Sequence, residues 1–241
     1  MYTRKDGRSQ FSLRKITLTR NYLPYAEGSC LVEIDQTRII TSVSVENGIP
    51  KWLSGTGSGW VTAEYGMLPR STQTRNRRPT SAYHLSGRTM EIQRLIGRAL
   101  RAVTRLDQLG ERTVHIDCDV INADGGTRTA SIIGAAVSLY DAGTWLVTKG
   151  ITEEHIMSEM VAAISVGIVE GTILADLSYV EDSAADVDMN IVMTESGNLV
   201  EIQGTAEKKT FDRTMLDTML NSAESAIKTI TAIQKKNLDL I

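Results

Sequence analysis

Apolar residues recur along the chain with two different periods, and each change of period marks an element. Cys30, Val32 and Ile34 alternate with other residues, Asp35-Gln36 turns the chain, and Ile39 to Val45 returns, which predicts a hairpin over 29–45. Trp60 to Tyr65 alternates as a further strand. Residues 66–86 lose the period, carry Pro69, Pro79 and several arginines, and predict a long loop of the kind that is usually functional or mobile. From Gly87 to Leu106 the period becomes helical, with Ile92, Leu95, Ile96, Ala99, Leu100 and Val103 on one face and Arg94, Arg98, Arg101 and Arg105 on another. Those arginines read as a solvated or ion-paired face, with RNA or a neighbouring subunit as the alternative. Val114, Ile116, Cys118 and Val120 predict a strand over 114–121, Asn122 to Gly126 a turn, and about Arg128 to Leu139 a helix of small residues.

The second half repeats this grammar. Thr152 with Glu153 and Glu154 behind it predicts the capped start of a short helix. Strands follow at about 161–168, 172–177, 188–194 and 199–203, with hairpin-like joins at Glu170-Gly171 and Glu195 to Asn198. A long helix starts near Thr210, with Met215, Leu216, Met219, Leu220, Ala223, Ile227 and Ile230 as its buried stripe. Each half is therefore read as antiparallel strands plus helices. The prediction is a two-layer α+β fold in one compact chain over 1–241, with a first half of about 1–150, a second of about 151–241 and no linker between them. A duplicated unit fits this pattern, although identity between the halves is too low to establish it.

Composition narrows the class. The chain has 241 residues, 41% hydrophobic and 23% charged, which is globular and excludes intrinsic disorder. The longest apolar run, around Val161 to Val169, is broken by Ser165 and Gly167 and falls short of the about 20 residues a membrane helix needs. The first ten residues, MYTRKDGRSQ, contain no apolar signal core. Cys30 and Cys118 lie apart in apolar stretches and read as buried free thiols of a reducing compartment, so a cytoplasmic protein is expected. The net charge of -3 conceals a polarity, because residues 1–112 carry 18 Lys+Arg against 9 Asp+Glu and residues 113–241 carry 8 against 20. Such asymmetry points either to a polyanion surface on one half and a cation site on the other, or to two halves that attract each other in the fold.

Three segments could carry chemistry. Asp119 to Ser131 is a strand, a glycine turn and a helix start, where exposed amides and the helix dipole favour an anion. Gly125 and Gly126 allow close backbone approach, Thr127 adds a hydroxyl and Arg128 a bidentate fork. An ordinary helix cap is the alternative. In Glu181 to Asp188, Asp186 and Asp188 share a face of a strand and Asp182 can fold back toward them, a set able to hold Mg²⁺ together with substrate phosphate, or else a solvated acidic loop. Arg70, Arg75, Arg77 and Arg78 in the long loop suit RNA phosphates. Gly55 to Gly59 resembles a nucleotide loop but leads into a strand and lacks the Lys-Ser or Lys-Thr of a P-loop, so it reads as a flexible connection. His84, His115 and His155 are scattered, with no triad and no zinc spacing.

Several strings together resemble a known family. Gly87-Arg-Thr-Met-Glu-Ile-Gln-Arg-Leu-Ile-Gly-Arg98, Asp117-Cys-Asp-Val, Asp124-Gly-Gly-Thr-Arg-Thr-Ala-Ser131, Glu181-Asp-Ser-Ala-Ala-Asp-Val-Asp-Met-Asn190 and Val200-Glu-Ile-Gln-Gly-Thr-Ala-Glu207 occur in the order found in bacterial ribonuclease PH. Trp60-Val-Thr-Ala-Glu-Tyr65 and Met67-Leu-Pro-Arg70 agree, and the resemblance runs from Asp6-Gly-Arg8 to the last helix.

The resemblance implies an α+β fold of the ribosomal protein S5 domain 2-like group and a homohexamer built as a trimer of dimers. It implies a phosphate-dependent 3′→5′ exoribonuclease that trims tRNA precursors, with rRNA as a further substrate, and releases nucleoside 5′-diphosphates reversibly. By the same resemblance Arg88, Gly126, Thr127 and Arg128 bind phosphate, Asp182 and Asp188 are the catalytic and Mg²⁺-binding residues, and Arg70, Arg75, Arg77 and Arg78 contact RNA. A metal-dependent hydrolase that ignores phosphate and a catalytically silent RNA-binding ring subunit are the alternatives. A hydrolase needs no anion cradle, and a silent subunit needs neither cradle nor aspartates.

Overall fold

The computed structural model describes residues 2–78 and 86–241. Among them are nine strands: β1 (Ile16–Arg20), β2 (Gly28–Ile34), β3 (Thr37–Asn47), β4 (Trp60–Met67), β5 (Arg112–Asn122), β6 (Val161–Val169), β7 (Thr172–Ala175), β8 (Val187–Thr194) and β9 (Leu199–Ala206). The α-helices among the described residues are α1 (Gly87–Arg101), α2 (Thr127–Thr148), α3 (Tyr179–Ala184) and α4 (Arg213–Asn237). One sheet has the order β1-β2-β3-β5-β4 and the other β7-β6-β8-β9. The α+β expectation holds. Strand β1 and helix α3, both short, are additions to the predicted set.

The β2–β3 hairpin pairs in the register that alternation requires, with Val32 opposite Ile39 and Cys30 opposite Thr41, all buried. The expectation of antiparallel strands throughout is corrected at one place. Strands β4 and β5 run parallel, from Trp60 opposite Thr113 to Met67 opposite Val120. Helix α1 lies between them in the chain, and a crossover of that kind is what joins parallel neighbours.

Helix α2 runs against β2 and β3 of the first sheet and β6 of the second, while α4 runs against β6, β7 and β8. α2 is apolar nearly all round, as a helix enclosed by other elements must be. By length and composition it could cross a membrane, which the apolar-run reading did not foresee, but 78% of its most apolar window is buried inside the fold. It extends well past the predicted end at Leu139. Asp141, two residues beyond that end, is held by two-pronged contacts from Arg20, the closest at 2.6 Å, and stays helical and buried. Gly28 allows α2 to sit directly on β2, since a Cβ there would lie 2.0 Å from the Ser138 carbonyl oxygen.

Two further departures have one cause. The backbone of 156–158 bonds to the end of α1: Arg105 N–H donates to Ile156 O at 2.7 Å and Ser158 N–H to Val103 O at 2.9 Å. This docking ends α1 at Arg101 rather than Leu106, and 152–158 forms bends with an isolated bridge from Met157 to Thr104 instead of the predicted capped helix. At the other end, Asp212 accepts from Met215 N–H and starts α4. The buried stripe of α4 lies further along than predicted, through Met219, Ala223, Ala226, Ile227, Ile230, Thr231 and Gln234, with Met215 exposed and Leu216 and Leu220 half-buried.

Part of the charge polarity is spent within the fold. Arg4 pairs with Glu181, Arg8 and Arg14 with Asp176, Arg20 with Asp141, Arg98 with Glu201 and Arg105 with Glu154, each a basic residue of 1–112 on an acidic residue of 113–241. Of the predicted arginine stripe, the ion-paired reading holds for Arg98 on α1 and for Arg105 just beyond it, Arg94 is exposed, and Arg101 donates to Val61 O and lies over the Trp60 ring at 4.4 Å. Cys30 and Cys118 are buried free thiols, and burial pushes the Cys30 thiol up to about 12.

Arg4 and Glu181 are each almost fully buried and joined by two hydrogen bonds of 2.9 and 2.7 Å. Removing one partner strands the other charge, so Arg4→Ala is expected to cost about 3–5 kcal/mol in chemical denaturation, whereas an exposed pair such as Lys228–Glu224 should cost less than about 1 kcal/mol.

Candidate active site

The turn from β5 into α2 is built around two glycines. Gly125 and Gly126 both have positive φ, 80° and 69°. A Cβ at Gly125 would lie 2.6 Å from the Tyr179 nitrogen, so the close approach this glycine permits is to the start of α3. Gly126 is the N-cap of α2, and no side chain caps that end. The amides there are left to a ligand or to water.

Buried polar groups pin the turn. Thr37 Oγ1 donates to Gly125 O at 2.8 Å and accepts from Asp124 N–H at 3.0 Å. Arg14 donates to Asp124 O at 2.8 Å through Nη1 and grips Asp176 through Nε and Nη2, the shortest contact being 2.6 Å. Burial works against the Arg14 charge, but Asp176 outweighs it and the guanidinium pKa rises.

A cavity of about 590 Å³ opens over the turn. Its lining includes Arg88, Gly126, Thr127, Arg128, Asp182 and Asp188, so residues from three separate strings of the sequence meet in one place. Arg88 lies in the first turn of α1, where Ser86 Oγ caps Thr89 N–H at 3.1 Å. Arg128 opens α2 and is steadied through Nη1 by Glu91 Oε1 at 3.3 Å and Gln203 Oε1 at 3.2 Å. Thr127 Oγ1 is 2.8 Å from the hydroxyl of Tyr65, on β4.

The aspartates come from two neighbouring elements. Asp182 rides on α3, whose capping box joins Ser178 to Glu181, and Glu181 is itself held by Arg4. Asp188 is on β8, with Asn190 Nδ2 at 3.4 Å from Oδ2. Asp186 does not join them. It precedes β8, does not line the cavity and pairs with Lys209 at 3.1 Å, which corrects the expectation that it shares their face.

Withdrawal from water raises both carboxyl pKa values, Asp188 to about 6. The Asp182 charge adds to the rise at Asp188, while Arg128 and Arg88 pull both groups back down. Asp188 Oδ1 is buried with no hydrogen-bond partner among the described residues. Two carboxylates, one with an orphaned oxygen, are suitable donors for Mg²⁺, which takes one or two protein carboxylates and completes its shell with substrate oxygens and water. No group of three or more His, Cys, Asp or Glu suited to a metal occurs among the described residues, so substrate and solvent would supply the other ligands.

The long loop reaches the cavity through residues other than its arginines. Thr72, Gln73, Thr74 and Asn76 line the cavity, with Asn76 Nδ2 donating to Thr72 Oγ1 at 2.9 Å. Arg70, Arg75, Arg77 and Arg78 are exposed and stand outside the lining. The remainder of that loop, with Pro79 and His84, lies outside the described residues. His155 is structural, bonded to Tyr140 O at 3.0 Å and Met157 N–H at 3.1 Å. Gly55 to Gly59 leads into β4 and does not reach the cavity. Tyr65, Thr37, Arg14 and Asn190 were missed, because each is one polar residue in a strand or loop whose role depends on a distant partner.

The chain matches the 3′ exoribonuclease family, domain 1 over residues 12–144 and domain 2 over residues 159–226, and belongs to that family. Among solved structures, rice (Oryza sativa) Rrp46 superposes with a TM-score of 0.80 at 17% identity, covering 98% of this chain and 100% of that one. A chain of the Archaeoglobus fulgidus exosome with RNA bound to the active site gives 0.81 at 22% identity, covering 94% and 91%. A chain of an archaeal exosome core gives 0.76 at 21% identity, covering 97% and 90%. At these identities the likeness concerns the fold.

A carboxyl whose pKa is raised in the folded state binds its proton more tightly there than in the unfolded chain. Its contribution to stability is therefore lost as pH rises from about 4 to about 6. Asp188→Asn should make the chelated protein more stable at pH 7 by about 1–3 kcal/mol and leave it unchanged below about pH 4, as read by urea denaturation across pH.

Proposed function

We propose that the protein is a phosphate-dependent 3′→5′ exoribonuclease that trims tRNA precursors and, as a further substrate class, rRNA. The observation that carries this reading is the meeting of Arg88 and the Gly126–Arg128 helix start with Asp182 and Asp188 in one cavity of a chain from the 3′ exoribonuclease family. A hydrolase has no use for the cradle, because water is uncharged. A silent ring subunit has no use for either half of the site.

Inorganic phosphate is the nucleophile in this reading. Arg88 and Arg128 offset its charge and aim it, the Thr127 hydroxyl and the Gly126 amide complete its hydrogen bonds, and no side-chain base is required because hydrogen phosphate is already ionised at neutral pH. A phosphate oxygen attacks the last phosphodiester phosphorus and the bond to the 3′ oxygen of the preceding nucleotide breaks. That oxygen takes up the proton carried by hydrogen phosphate. The products are a shortened RNA and a nucleoside 5′-diphosphate, so excess diphosphate drives nucleotide addition. Asp182 and Asp188 would hold Mg²⁺, which supplies charge neutralisation at the scissile phosphate when bound. The reading includes a cytoplasmic homohexamer, a trimer of dimers, and likeness to chains of exosome assemblies supports a ring.

The deciding experiment supplies RNA and Mg²⁺ with and without phosphate and identifies the released nucleotide. Diphosphate released only with phosphate supports the proposal, monophosphate means hydrolysis, and no release means a binding subunit. In the same assay Arg88→Ala should lower activity at low phosphate by about 10²–10³-fold, with part of the loss recovered at high phosphate. Wild-type activity at low phosphate in that variant would remove Arg88 from the site.

The exposed arginines should act on RNA affinity. Each RNA phosphate that no longer meets an arginine flattens the slope of log K against log salt by about 0.7–0.9. Arg75→Ala with Arg77→Ala is expected to raise KM for tRNA far more than for a short oligonucleotide. Dissociation of the assembly in size exclusion would instead place these arginines at a subunit contact. An intact assembly with unchanged KM and slope would refute the RNA role.

A further inference from the structure

We propose that Tyr65 is a positioning residue of the phosphate cradle: its phenol donates to Thr127 Oγ1 and thereby directs the Thr127 proton at the bound anion. The inference rests on the phosphate-dependent reading and adds to it a residue that never touches phosphate.

The Tyr65 side chain belongs to β4 and is 5% exposed, and it does not line the cavity. Its hydroxyl makes one hydrogen bond among the described residues, to Thr127 Oγ1 at 2.8 Å. Thr127 does line the cavity. A hydroxyl carries one proton and two lone pairs, so a pair of hydroxyls has two protons to place. If Thr127 donated to Tyr65, the phenolic proton would be buried without an acceptor, which carries a desolvation penalty. With Tyr65 donating, both protons are placed: the phenolic one on Thr127 Oγ1, and the threonine one toward the cavity. An anion can use only a donor there, so the buried phenol selects the rotor state that binds phosphate and excludes the one that would present lone pairs to it. Both cradle arginines also act electrostatically on the Tyr65 hydroxyl and oppose the rise in its pKa caused by burial, which places it within reach of the charges that surround the anion.

Tyr65→Phe keeps the ring and removes only the donor. It is expected to raise KM for phosphate about 5–10-fold with kcat at saturating phosphate within about twofold of wild type, because an interaction made equally in the ground and transition states moves KM alone. Thermal stabilisation by inorganic phosphate, read without RNA, should weaken in parallel, while the melting temperature in phosphate-free buffer changes little. In a Thr127→Val background the further change Tyr65→Phe should cost nothing more in phosphate affinity. In a Thr127→Ser background, which keeps the hydroxyl, it should cost as much as in wild type.

An undiminished phosphate response in Tyr65→Phe, or additive effects in the Thr127→Val double variant, would overturn the inference while leaving the proposed function intact. A wild-type protein that releases no diphosphate and gains no stability from phosphate would remove the proposed function, and this inference with it.

Discussion

The ion pair between Arg14 and Asp176 is the constraint on which the rest of the site depends. Arg14 lies just before β1 and Asp176 just after β7, so one contact ties the first sheet to the second. Asp176 is held in the left-handed region at φ 54°, a conformation that its contacts with Arg4, Arg8 and Arg14 hold in place. The remaining prong of Arg14 reaches the carbonyl of Asp124 and so holds the glycine turn. A neighbouring contact, Arg4 on Glu181, fixes the short helix that carries Asp182. A buried ionic cluster is a poor source of net stability, because desolvation consumes most of the attraction. Its effect here is geometric: cradle and carboxylates keep one spacing because charges that cannot be left unpaired hold them.

Around that frame the charges are graded. Asp182 and Asp188 repel each other in a partly dry site, and Arg88 and Arg128 compensate them only in part. Such a site favours ligands of both signs at once, an anion at the helix start and a cation at the carboxylates. Among the described residues, the open N-terminus of α2 and the orphaned oxygen of Asp188 are unsatisfied features at this cavity. Phosphoryl transfer uses both, since it brings an anionic nucleophile to an anionic scissile group and succeeds through positioning and charge stabilisation.

The charge polarity of the chain serves the fold before it serves any partner. Six arginines of residues 1–112 are engaged by acidic residues of 113–241, among them Arg98 on α1 and Arg105 just beyond it, which could have been taken for an RNA surface. Arg70, Arg75, Arg77 and Arg78 differ in being exposed and close in sequence to the polar residues that line the cavity.

Alternation in β2, β3 and β5 and the helical stripes of α1 and α4 were legible in the sequence because they report which face each element buries, a local property. The glycine turn and the acidic segment were legible as candidates for a similar reason, since glycines before Thr-Arg and carboxylates at close spacing carry their chemistry with them. Other features are long-range. Helix α2 runs past Leu139 with Asp141 held by Arg20 from another element, and 152–158 forgoes a helix because its backbone bonds to the end of α1. Asp186 turns from the aspartate pair because Lys209 is there to meet it, and Tyr65 matters only because Thr127 lies 2.8 Å away. The sequence alone determined which residues have the chemistry of the site. The tertiary structure decided which of them share it, because the energy of a buried charge or hydroxyl is set by partners up to 177 positions away in the chain, and no local pattern encodes them.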